Sequence, residues 1–152
     1  YFSAIGDSQQ SSFLPKREAV LATGATTVLS LDGSGTGSFI IPNGTNRAWN
    51  VTAKWVAVVT AITGTATGVT VGDTITQENT LGFKKVGGIS SLVGTPNNRW
   101  TNSDTSMTTA TMTYTPGASQ ELALTFAAPT FTGGGTITCR VVAKVELTEV
   151  AW

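Results

Sequence analysis

The chain of 152 residues carries 9 basic and 9 acidic side chains, and charged residues make up only 12% of it. That balance gives no electrostatic pull toward nucleic acid or an anionic membrane, and no apolar run approaches the length of a membrane helix. With no histidine and a single cysteine, the usual general base, the usual metal ligands and an internal disulfide are all missing, so no cofactor is expected.

The length suits one domain, and threonine and glycine take the places that charged residues normally fill. Threonine favours strands and glycine disfavours helices, which points to an all-β chain. Residues 1–10, YFSAIGDSQQ, have neither the basic end nor the apolar run of a signal peptide. They read as an arm or tether before a domain of residues 11–152, and the missing initiator Met suggests processing or a fragment.

Residues 11–21 are weakly strand-like around Pro15, with one helical turn over 16–21 as the alternative. A short strand over 26–31 is closed by Asp32 and Gly33, a hairpin-turn pair, and Ser38 to Ile41 supplies the returning strand. Asp32 is a turn residue in this reading.

Residues 47–62 form the first long strand. Trp49, Val51, Ala53, Trp55, Ala57, Val59 and Ala61 face one way, which makes both tryptophans core residues. The outward set becomes apolar at Val56 and Val58, the pattern expected where a second layer or another subunit covers the strand. Trp152, the last residue, is a further candidate for a subunit contact.

Between residues 63 and 79 large side chains are scarce, and Val69, Val71 and Ile75 allow one short strand. Two more short strands, 81–86 and 89–93, flank Gly87 and Gly88, and a long polar loop is expected over 94–105. In that loop Trp100 beside Asn97, Asn98 and Arg99 is the candidate platform for a glycan or a partner protein, an amphipathic ring among amide and guanidinium groups. Strands resume over 108–115 and 120–126, with Met112, Tyr114, Leu122, Leu124 and Phe126 inward.

The last strand, residues 136–150, alternates Ile137, Cys139, Val141, Ala143, Val145 and Leu147 with Thr138, Arg140, Lys144, Glu146 and Thr148. Cys139 is therefore a buried small hydrophobe, and Glu146 is expected to pair with Lys54 across neighbouring strands. The other carboxylates are scattered; Asp73 with Glu78 would bind calcium only if a third oxygen ligand joined them. Catalysis has no assembled residue set, so an enzyme is not expected. Eight to ten strands separated by turn signals predict an antiparallel β-sandwich, jelly-roll-like in its strand number.

Several segments resemble a module of tail fibre, tailspike and related structural proteins of tailed bacteriophages. They are Asp32-Gly33, Ile41-Pro42, residues 47–59 (RAWNVTAKWVAVV), 81–85, Leu92 to Pro96 (LVGTP) and 140–150. The last of these is similar to the family's closing strand, RWVAxVELTEV, with Val141 where the family has Trp. The resemblance implies a non-enzymatic part of an extracellular phage particle. It also implies a homo-oligomer, in fibres often a trimer, that contacts other virion proteins and takes part in host attachment. A host-glycan or receptor-binding module and a capsid decoration protein are the alternatives.

Overall fold

The structure is a computed structural model, and it describes residues 8–36, 39–40, 45–117 and 121–152. Its ten described strands, all paired antiparallel, are β1 (Ser8–Phe13), β2 (Lys16–Leu21), β3 (Thr26–Val28), β4 (Phe39–Ile40), β5 (Arg47–Thr63), β6 (Thr74–Val86), β7 (Ile89–Ser103), β8 (Thr111–Pro116), β9 (Glu121–Ala127) and β10 (Thr136–Ala151). One 3-10 turn, Thr105–Met107, separates β7 from β8. The all-β, antiparallel expectation is met, and the two sheets make a sandwich-like arrangement.

The large sheet runs β10-β5-β6-β7. β1 and β2 divide the outer edge of β10, pairing with Val145–Val150 and Ile137–Val142 respectively. Pro15 sits at the break between them, and its carbonyl accepts from Ala143 N at 2.9 Å. Residues 16–21 are thus a strand and not a helical turn, because pairing with β10 satisfies their backbone. Of the expected arm, residues 1–7 lie outside the described residues, and Ser8–Gln10 belong to β1.

The small sheet is built on β9. β8 lies along one edge of β9, and β3 and β4 pair with successive parts of it. The expected hairpin around Asp32 is not formed, since β3 and β4 each pair with β9. Asp32 instead closes a local turn, accepting from Ser30 Oγ at 2.7 Å and Ser34 N at 2.9 Å. Such side-chain bonds compete with hairpin geometry at Asp-Gly. Ser38 and Ile41 of the expected returning strand lie outside the described residues.

The inner faces of the two sheets share one core. Trp49, Val51, Ala53, Trp55, Ala57 and Val59 of β5 are buried, as are Ile137 to Leu147 at every second position of β10. Met112, Tyr114, Leu122, Leu124 and Phe126 come from the small sheet. Trp55 meets Phe126 edge-on across the core, with ring centroids 6.0 Å apart and an interplanar angle of 70°. That contact contributes ~0.5–1.5 kcal/mol beyond the area it buries.

One position breaks the expected phase. The register of β5 against β10 shifts between Val59 and Ala61, so Thr60 forms a bulge. Beyond it Ala61 faces solvent and Ile62 packs on the core, the reverse of the uninterrupted alternation.

Polar joints tie the sheets together. Asn79 on β6 is buried, and its Oδ1 accepts from Trp55 Nε1 at 3.0 Å and from Tyr114 Oη at 2.9 Å. The donors of Trp55 and Tyr114 are thereby satisfied by one amide oxygen with two lone pairs. Burial pushes the Tyr114 hydroxyl far above its ordinary value, so it remains a donor.

Candidate functional site

The outward face of the large sheet holds most of the residues singled out from sequence. The segment 94–105 is not a loop, since β7 continues to Ser103 along the edge of β6. Two irregularities disguise it. Three residues, Gly94 to Pro96, stand opposite Leu81, with Gly94 at φ 74°, and Arg99 is an extra residue between the pairs Asn79↔Asn98 and Glu78↔Trp100. An edge strand also tolerates Pro96, which donates no ladder bond.

The bulge at Arg99 turns consecutive side chains toward the same partner. Glu78 Oε2 accepts from Trp100 Nε1 at 2.9 Å, while its Oε1 lies 3.7 Å from Arg99 Nε. Lys54 Nζ approaches the same carboxylate at 3.8 Å. Trp100 therefore lies with its one polar group engaged and 43% of its surface open. Chemically it offers a fixed aromatic surface for stacking, with no free N–H to give.

Asn98 is turned along the strand, donating Nδ2 to Thr101 Oγ1 at 2.8 Å, and Asn97 is exposed opposite Thr80. Asn97, Asn98, Arg99 and Trp100 are thus neighbours on one edge strand, though Arg99 and Trp100 are committed to Glu78. Glu146 pairs with Lys144 at 2.8 Å, two residues back on the same strand. The expected Glu146–Lys54 pair is not formed, because Lys54 is opposite Glu78 and turns to it. The Lys144 ammonium, and more weakly Lys54, hold the Glu146 carboxyl below its ordinary value.

Beside these ion pairs lies an aliphatic stretch. Val56 stands opposite Val142, and Val58 opposite Arg140, whose Nε and Nη2 both donate to Glu18 Oε2 at 2.9 and 2.7 Å. Val56 is exposed, and Val58 and Val142 are half-buried. Trp152 is exposed past the end of β10, its N donating to Asn46 O at 3.4 Å.

A shallow groove of about 520 Å³ opens at one end of the sandwich, lined by Val69, Thr70, Asp73, Asp104, Ser106 and Thr109 among others. Asp73 clamps two segments, accepting from Ser106 Oγ at 2.5 Å and from Thr70 N and Oγ1 at 2.7 Å. The Ser106 hydroxyl first, then Thr70, hold its carboxyl below the ordinary value. Asp104 Oδ2 accepts from Thr74 N at 2.8 Å. Strand β6 starts at Thr74, so the expected short strand around Val69 and Val71 is a loop that Asp73 closes. Glu78 points to the outer face, bound to Trp100. The Asp73–Glu78 pairing needed for calcium is not assembled, and no group of three or more potential ligands occurs among the described residues.

Cys139 is fully buried against the core, and burial pushes its thiol up to about 11. It is packing, as the alternation implies. Sequence reasoning passed over a set of inward charges at the other end of the sheet. Arg47, Lys85 and Glu149 all carry the inward phase of their strands, and Glu149 and Lys85 are buried. Arg47 Nη1 donates to Glu149 Oε1. Extending the alternation of β10 two residues past Leu147 would have flagged Glu149.

No family model matches the chain, and no curated protein matches it. Among solved structures, the crystal structure of the Acinetobacter baumannii phage AM24 tailspike protein is similar, with a TM-score of 0.45 and 12% sequence identity. The match covers 94% of this chain and spans 26% of that one.

Proposed function

We propose that this chain is a non-enzymatic structural module of a tailed-phage particle, carried in a tail fibre or a related appendage and exposed outside the host cell. The sandwich, from β1 onward, serves as its body. Its work is rigid display: long strands hold a stiff sheet, copies of the chain associate through that sheet, and other virion proteins hold the assembly in place.

The observation that carries this reading is the outward face of the large sheet. β5 has 17 residues and β10 has 16, so the central ribbon extends roughly 55 Å at about 3.3 Å per residue. Along it Val56, Val58 and Val142 form an aliphatic stretch, with the neighbouring pairs Arg140–Glu18 and Lys144–Glu146 each neutral and Glu78 shared by Lys54 and Arg99. The two neutral pairs flanking the valines lose little on burial against a second copy, and the valines gain. A closed assembly with a trimeric axis is the order implied by the sequence resemblance to tail-fibre modules.

Sedimentation velocity on the wild-type chain and on Val56→Lys/Val58→Lys tests this. The wild type should sediment as an oligomer at micromolar concentration, and the double variant as a folded monomer. A wild-type monomer at that concentration would sink the proposal.

A second reading, attachment to a host-surface glycan, is favoured by Trp100, whose ring is half open beside Arg99, Asn98 and Asn97. Glycan-array binding that disappears in Trp100→Ala would support it, and binding unchanged by that substitution would remove the site.

A further inference from the structure

Exposed apolar side chains gather at the end of the outward face where β6 turns into β7. Val86 and Ile89 stand opposite each other at that turn, 48% and 75% exposed. Val93, four residues along β7, is 53% exposed and lies over Gly82, where an added Cβ would come within 2.9 Å of its own. The row between them runs Val150, Ala48, Lys84 and Ser91 across β10, β5, β6 and β7, and Trp152 follows two residues after Val150. Val150 and Trp152 are each about half exposed. Neighbouring strands lie ~4.8 Å apart, so this surface is roughly 14 Å wide and about 13 Å long. Lys84 is the one charge in the row, and a lysine can keep its ammonium wet while its stem is covered. Apolar side chains collected in this way mark a contact site, which single exposed ones do not.

Area and continuity say what covers it. A stable interface takes ~800 Å² from each partner. Val56, exposed, with Val58 and Val142, half-buried, supplies only a small part of that. The rest of the contact has to come from the same face, and the turn end holds its other concentration of apolar surface. Ala48 and Val56 are eight residues apart on β5, so the two places are separated by ~26 Å. A second copy brings a central ribbon as long as this one, and such a body seated on the valines reaches the turn end as well.

We infer that the turn end is a second anchor of the contact between copies, in which Val86, Ile89, Val93, Val150 and Trp152 are covered by another copy of this chain. The inference rests on the association proposed above and gives it a second point of attachment, at the opposite end of the face from the valines. Two anchors far apart also fix how one body lies on the next, which a single short stretch of valines cannot do. The indole of Trp152 and the side chain of Ile89 carry most of the energy, as large apolar groups in an interface do.

The test is sedimentation velocity over a concentration series on the full chain, with urea unfolding to verify that each variant is folded. Val86→Lys/Ile89→Lys should weaken association by about thirtyfold or more, and Trp152→Ala by about tenfold. Val71→Lys, at an exposed position in the loop before β6, should leave it unchanged. Association unaltered in a folded Val86→Lys/Ile89→Lys chain, with Val56→Lys/Val58→Lys monomeric, overturns this inference and leaves the valine contact standing. The turn end would then belong to a different protein. An equal loss in Val71→Lys overturns it too, since added charge anywhere would then suffice. A wild type that is monomeric at micromolar concentration removes the valine contact and this anchor together.

Discussion

Asn79 gives the sharpest test of how the two sheets are joined. Its Oδ1 serves Trp55 on β5 and Tyr114 on β8, so Asn79→Ala strands two buried donors at once. Each costs ~1–3 kcal/mol when left unmade, which puts the loss at about 3–4 kcal/mol in all. Tyr114→Phe removes one donor and leaves Asn79 bound to Trp55, at a cost of ~1 kcal/mol. In the double variant only Trp55 lacks a partner, so the double loss should fall short of the sum by ~1–2 kcal/mol. Urea unfolding followed by tryptophan fluorescence, with comparable m values across the four proteins, measures the cycle. Additivity within ~0.3 kcal/mol would refute the shared-acceptor account. The alkaline limb provides an independent reading of the same bond. Above about pH 10 the unfolded phenol ionises while folded Tyr114 stays protonated, so the folded chain binds more protons and stability falls as pH rises. Tyr114→Phe should remove that part of the fall.

Three further outcomes follow from single residues. Cys139, buried with its thiol pushed up to about 11 from 9.0, should react with a disulfide reagent only through unfolding. Its contribution to stability is present below pH 9 and lost as pH climbs toward 11, and labelling faster than unfolding would contradict its burial. Gly133 has a φ of +89°, and an added Cβ would fall 1.7 Å from the Thr65 carbonyl oxygen. Gly133→Ala should therefore cost about 3 kcal/mol in thermal unfolding, against ~1 kcal/mol for Gly72→Ala, where φ is +98° but nothing stands within 4 Å. Equal costs at the two sites would dismiss the clash. Asp32 is held at about 2, chiefly by the Ser34 N–H and then by the Ser30 hydroxyl. Its stabilisation is present above 3.8 and lost as pH falls toward 2, so its carboxyl carbon should titrate near 2 by NMR, and a midpoint close to 3.8 would deny the turn.

The parts of the fold legible in the sequence are those where one strand face is dry. In β5 and β10 the alternation placed Trp49, Trp55 and Cys139 inward, and in β8 and β9 it placed Tyr114 and Phe126 there. β7 was legible only over residues 89–93, because its continuation past Gly94, an edge strand with exposed Asn97, Asn98 and Thr101, has no dry face to print a period. Its bulges at residues 94–96 and 99 erase what alternation remains. The neighbours of β9 were illegible for another reason. β3 and β4 join it across more than 80 residues of chain, whereas Asp32-Gly33 suggested a purely local pairing. The Trp100–Glu78 bond spans two strands whose register depends on those bulges, so the candidate residues could be named but not their shared partner. The inward charges were legible in principle, since Arg47 and Glu149 continue the apolar odd positions of β5 and β10, and Lys85 follows Leu81 and Phe83 in the same phase of β6.

The central claim concerns where the chain works. If the proposal holds, gold-labelled antibody against the folded chain, imaged on intact particles of a phage whose genome carries this sequence, tests that claim most directly. The account predicts label confined to tail fibres or a neighbouring tail appendage, at sites carrying more than one copy. Label spread over the capsid surface, or particles that carry none, would contradict it.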